Sequence, residues 1–120
     1  MLNDLAILKN ASAMAQHAAR RHTVIAQNIA NADTPEYKAR DVETFASLYS
    51  QAAREGKDIS MLALTSKLVE MPGIASNSGN TVSLEEQMLT SAESVGDHEL
   101  ALAIYRKTFD MMKMALGKNM

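Results

Sequence analysis

The stretch NIANADTPEYKAR, residues 28–40, breaks an otherwise helical N-terminal third. Ahead of it, Leu8, Ala11, Ala15, Ala18, His22, Ile25 and Ile29 recur at spacings of three and four, with Met14, Arg21, Val24 and Asn28 beside them. That period predicts a helix over 3–31, about 43 Å long at 1.5 Å per residue. The stretch then stops it. Asn31 suits a helix C-terminus because Asn tolerates left-handed backbone. Thr34, ahead of Pro35, is pushed toward extended geometry. Asp33 can close an Asx-turn, and Pro35 presets the turn that follows. Tyr37 presents a rigid ring with a polar tip, and Lys38 and Arg40 alternate about Ala39 as in an extended segment with one wet edge. A single glycine would end a helix; this corner has a shape specific enough to be recognised.

A second long helix is expected over 82–117. Ser83 and Glu86 form a capping box after the loop NSGNT, and Gly117 serves as a C-terminal stop. Val95, His98, Leu102, Tyr105, Phe109, Met112 and Leu116 trace one seam, and Ala101, Ile104, Thr108, Met111 and Ala115 trace a second. Two seams exceed what one intrachain partner can cover, which points to packing against other chains. Met111, Met112 and Met114 suit such an adaptable surface. Between the helices, Val42, Phe45, Leu48 and Ala52 are spaced for a short amphipathic helix ending near EGKD. Residues 58–70 fit either a strand pair or another short helix, and MPGIASNSGN, 71–80, reads as an exposed loop. The expected fold is mainly α: residues 1–31 and 82–117 make one core, and 32–81 hold the corner, short elements and a loop.

The chain has 120 residues, so it forms one domain at most. Aromatic residues are only 4%, while there are nine methionines, a composition for closely packed helices rather than an aromatic core. A net charge of −2 with interspersed signs gives no basic stripe for nucleic acid. The absence of cysteine excludes disulfides and thiolate chemistry. No stretch approaches a transmembrane segment. The N-terminus MLNDLAILKNASAMA lacks a positive n-region and carries Asp4 and Lys9, so a cleavable signal peptide is not expected.

Chemistry-bearing residues are sparse. His17 and His22, five apart, do not share a helix face as paired metal ligands would. His22 and His98 sit on apolar seams and read as packing histidines. Glu93 and Asp97, four apart, share a face that is either solvated or set against basic residues of a neighbouring chain. No nucleophile, metal cluster or glycine loop accompanies them. No catalysis, cofactor, metal or small-molecule substrate is expected.

NIANADTPEYKARDV resembles the N-terminal motif of the bacterial flagellar rod, hook and axial proteins, in which N-x-A-N-x-x-T-x-G-[FY] follows a long N-terminal helix. GNTVSLEEQML, 79–89, is similar to the entry into the C-terminal helix of rod members. The resemblance does not extend over the middle, 45–78. Glu36 stands where the family carries glycine, which argues for a type I or open turn. DVETF also looks one residue longer than the family's acidic-aromatic run.

The resemblance implies a structural subunit of the flagellar basal-body rod, with its terminal helices packed as an antiparallel coiled coil. It implies export by the flagellar type III apparatus without a cleaved signal. It further implies helical self-assembly in the periplasm with other rod subunits and basal-body or export-gate proteins, and torque transmission to the hook. Its assembly motif would be Asn28, Asn31, Asp33, Thr34, Pro35, Tyr37, Lys38 and Arg40. Ile25, Ile29, Leu102, Tyr105, Phe109, Met112 and Leu116 would serve helix packing and subunit contact. A soluble helical adaptor or secretion chaperone, binding a partner's amphipathic helix, would explain the seams but not the corner.

Overall fold

A computed structural model describes residues 2–117. The N-terminal apolar period forms α1 (Leu2–Ala30), and the capped run after the glycine loop forms α4 (Leu84–Gly117). Ser83 Oγ accepts the Glu86 amide at 3.3 Å, one half of the expected capping box. The two helices run antiparallel: Asn28 bonds to Gln87, His22 to Ser94 and Arg21 to Glu93. The molecule is long and thin, 66 × 29 × 15 Å.

The seam between these helices is built from small and polar side chains. On α4, Gln87, Ser94, Ala101 and Thr108 are buried, seven residues apart, the heptad period of a coiled coil. On α1, Ala11, Ala18 and Ile25 of the expected seam are buried, while His22 and Ile29 face outward. The predicted α4 seam is therefore divided. His98 and Met112 are half-buried, but Val95, Leu102, Tyr105, Phe109 and Leu116 are exposed. Small residues take the inner face because they let two backbones approach closely. The larger apolar groups are displaced to the outside.

The middle segment packs on another face of α1. Thr44 caps α2 (Phe45–Glu55) by accepting the Ser47 amide, and Gly56, at φ 65°, ends it in the left-handed conformation. Val42 lies ahead of this helix in β1 (Arg40–Val42), not within it. Asp58 caps α3 (Ile59–Leu64). Ala13 of α1 joins Leu48, Ile59 and Ala63 in one cluster, flanked by Phe45, Ala52 and Leu62. His17 lies edge-on to Phe45 and hydrogen-bonds the Glu43 carbonyl, and Arg20 donates to Ser66. Residues 58–70 contain one helix and one strand, β2 (Leu68–Glu70). Its partner is not local: β2 pairs antiparallel with β1, Arg40 opposite Glu70 and Val42 opposite Leu68. Residues 71–80 have no helix or strand, as expected, and the irregular stretch runs on to Ser83, so α4 begins two residues later than the expected 82.

Candidate functional site

Three elements and one loop meet at the corner, and Asn28 is where they are tied. Its side chain is fully buried. The amide nitrogen donates to the Arg40 carbonyl at 2.7 Å and to Gln87 Oε1 at 2.9 Å, while Oδ1 accepts the Arg40 amide at 3.1 Å. One side chain thus acts as a strand partner for β1 and a cross-link to α4. Gln87, also fully buried, reaches Met71 Sδ with its amide. Buried amides of this kind need such complete pairing, because an unmade hydrogen bond there is costly.

The end of α1 is closed from a distance. Asn80 donates to the carbonyls of Asn31 at 2.8 Å and Thr34 at 2.7 Å, and its Oδ1 accepts the Val82 amide. Both carbonyls belong to the turns just beyond the helix and also accept backbone amides, from Thr34 and Tyr37 respectively, so Asn80 pins those turns from a distance. The rest of the corner lies along the same loop: Glu36 donates its amide to the Ser78 carbonyl, Thr81 to that of Tyr37, and Lys38 Nζ to that of Gly79. Ala39 donates its amide to Thr81 Oγ1. The two motifs, far apart in sequence, form a single interlocked unit.

Its turn differs from the expected one. The Tyr37 amide bonds the Thr34 carbonyl, with Pro35 and Glu36 between, and Glu36 has φ 62°. Proline followed by a positive φ is the type II pattern, not type I or an open turn. Glu36 therefore adopts the conformation that glycine takes most readily. It does so because its amide is held by Ser78 while Gly79 packs beneath it: a Cβ on Gly79 would lie 3.4 Å from the Glu36 Cα. Among the described residues Glu36 is the only non-glycine with positive φ, so Asn31 does not take the left-handed role. Nor does the Asp33 carboxylate close the turn. Thr34 Oγ1 bonds Asn31 Oδ1 instead, and Asp33 points to solvent.

Arg21 fastens the corner to both long helices. It grips both oxygens of Asp41, with contacts of 3.0–3.3 Å, and bonds Glu93 at 3.2 Å. Burial alone would lower its pKa, but the hydrogen bonds and charge of Asp41, then those of Glu93, outweigh burial and raise it. Glu93 thus has a partner within its own chain while its side chain stays 63% exposed, so the face is solvated as one of the two readings had it.

Of the motif residues, Asn28, Asn31, Thr34, Lys38 and the backbone of Arg40 are engaged within the chain. Asp33, Pro35 and the Arg40 side chain lie outward, and Tyr37 is half-buried. Ile25 is buried and Ile29 exposed. Asn80 and Gln87 fall within the motif at 79–89, but their pairing with the corner, like that of Arg21, was not legible because the partners are distant in the chain. Among the described residues no group of histidine or carboxylate side chains is placed to hold a metal ion, and no helix is long and apolar enough to cross a membrane.

The family model described as "Flagella basal body rod protein" matches residues 8–38, most of α1 and the corner through Lys38. A curated relative, the flagellar basal body rod protein FlgB of Escherichia coli K12, is 32% identical over 103 residues, covering 71% of this chain and 74% of the relative. That of Salmonella typhimurium LT2 is 28% identical, covering 84% and 86%. That of Agrobacterium fabrum C58 is 24% identical, covering 98% and 97%. With a relative 32% identical over 74% of that relative's length, the chain belongs to the flagellar basal body rod protein FlgB family.

Proposed function

We propose that this component of the flagellar basal-body rod assembles helically with further copies and with other rod subunits, and passes torque toward the hook. The observation that carries the proposal is the surplus of large apolar side chains along α4. Leu102, Tyr105, Phe109 and Leu116 are exposed although the helix is already packed on α1. Exposed apolar surface of that extent marks an interaction face. The role is structural rather than catalytic. The chain reaches the periplasm through the flagellar export route, and its immediate neighbours are rod or export-gate proteins.

The corner gives the subunit a fixed end. Its backbone is locked to residues 78–82, so Asp33, Thr34, Pro35 and the edge of Tyr37 are held ready to meet an adjacent subunit. Cells lacking the chain should build neither hook nor filament; a deletion strain with normal flagella would refute the role. Tyr37→Ala and Pro35→Gly should impair incorporation into basal bodies more than they reduce helix content. Equal loss of both would reduce the corner to a fold element.

A further inference from the structure

The two-stranded sheet is closed along one edge and open along the other. Asp41 pairs with Val69, and beyond them the Met71 amide bonds the Ala39 carbonyl and the Glu43 amide bonds the Lys67 carbonyl. The backbone groups of the residues in between must then point away from the partner strand. On β1 they belong to Arg40 and Val42. Asn28 takes both groups of Arg40, and the Asp41 carboxylate accepts the Val42 amide. On β2 they belong to Leu68 and Glu70, and no group among the described residues bonds them. Leu68 also lines a groove of about 470 Å³ between α1 and the middle segment, together with Ala19, Thr23, Val24 and Leu64. Gln16 lines the same groove, and its Oε1 is sealed from solvent with no hydrogen-bond partner among the described residues. An unpaired buried acceptor is costly. Leu64, Leu68 and Val69 are all exposed.

We infer that the open edge of β2 takes a third strand from a different polypeptide, an extended segment with an apolar side chain directed into the groove. The backbone at the edge names this chemistry. Leu68 and Glu70 each offer a donor and an acceptor at strand spacing, which an extended backbone can answer. A helix cannot, because its own backbone groups are already spent along its axis. A neighbouring strand lies about 4.8 Å away, and alternate side chains of that strand face the groove. An apolar one there meets Val24, Leu64 and Leu68, which line it. A donor beside it lets the flexible Gln16 amide turn and pair its Oε1. The choice of a different polypeptide rests on the rod reading. A second copy offering its own β2 edge would make a two-fold contact that closes at two copies, whereas a rod is open-ended. The edge belongs to the side of α1 that carries the middle segment, apart from the apolar surface of α4.

Glu70→Pro removes an outward amide and leaves the bonds between β2 and β1 in place, since proline is accepted at such an edge position. In cells making only this variant, its amount in isolated basal bodies should fall about tenfold, the weight of one lost hydrogen bond with the ring obstructing approach. Circular dichroism of the purified variant should show the helix content of the unaltered chain. Glu70→Ala keeps the amide and should incorporate normally. Glu70→Pro incorporated at the normal level overturns the proposal. Hydrogen exchange of the unaltered chain, read by mass spectrometry, tests the edge without any variant. The Leu68 and Glu70 amides should exchange freely in the purified chain and be protected in basal bodies. The chain contains no cysteine, so a benzophenone attached through Leu64→Cys sits at one place only. On illumination of basal bodies it should couple the chain to a different polypeptide, and a product made of two copies of this chain overturns the proposal. If the chain is present in basal bodies but its edge amides exchange freely there, the third strand falls and the rod role stands. If the unaltered chain is absent from basal bodies, both fall.

Discussion

Asn28→Ala should be among the most damaging single changes in the molecule. It removes three hydrogen bonds of 2.7–3.1 Å from a fully buried site and strands the Arg40 carbonyl, the Arg40 amide and Gln87 Oε1. Each buried group left unpaired costs about 1–3 kcal/mol. Arg40 lies at an exposed edge where water can reach part of its backbone, so the total is nearer 3–4 kcal/mol. Against a domain stability of about 5–15 kcal/mol, that is a large fraction. Urea unfolding of the full chain, followed by far-ultraviolet circular dichroism, would show a midpoint lowered by about 2–3 M at a slope of roughly 1.3 kcal/mol/M. Asn28→Asp sharpens the test. It keeps an acceptor for the Arg40 amide but turns a carboxylate oxygen toward two acceptors, so at neutral pH it should be at least as damaging as alanine. A loss below about 1 kcal/mol in both variants would refute the view that Asn28 ties the helices to the corner.

Other perturbations separate the parts of the same unit. Glu36→Gly should stabilise the chain by about 0.5–1 kcal/mol, since relief of the left-handed strain slightly exceeds the entropy glycine loses on folding; unchanged or lower thermal stability would contradict this. Arg21→Lys retains the charge but not the two-pronged grip on Asp41, and should lose about 2 kcal/mol in chemical denaturation, close to the loss from Arg21→Ala. The Asp58 carboxyl is held below its ordinary pKa, first by the Ser60 amide and then by Lys9. Its contribution is present above the ordinary carboxylate range and is lost as pH falls through the lowered value. The stability advantage over Asp58→Asn should accordingly shrink between neutral pH and about pH 3; a constant difference would count against it.

The limits of sequence reading show in particular residues. The spacing of Ala11, Ala18 and Ile25 marks a helix and its inner face because the helical period is a local property. The corner likewise announces itself, since Thr34 before Pro35 restricts the backbone whatever surrounds it. The turn type did not follow. Glycine-like backbone at Glu36 depends on the Ser78 carbonyl and on Gly79, some forty positions away. The pairing of β1 with β2 was hidden for a similar reason, because three-residue strands carry too little alternation to name a partner.

Two long helices, a stiff break between the first helix and the middle segment, and a surplus of apolar residues on the second helix were all legible in the order of residues. Those features follow from periodicity, capping and the backbone restriction proline imposes. Packing across the chain decided which α4 residues turn inward. Close approach to α1 selected the small residues Ser94, Ala101 and Thr108 for the buried face, and the hydrogen bond from Asn28 selected Gln87, leaving Leu102, Phe109 and Leu116 outside. It also decided that the stretch from Asn28 to Arg40 is locked to residues 78–82 by hydrogen bonds across the chain. A local pattern can end a helix, but only distant partners can hold that ending in one shape.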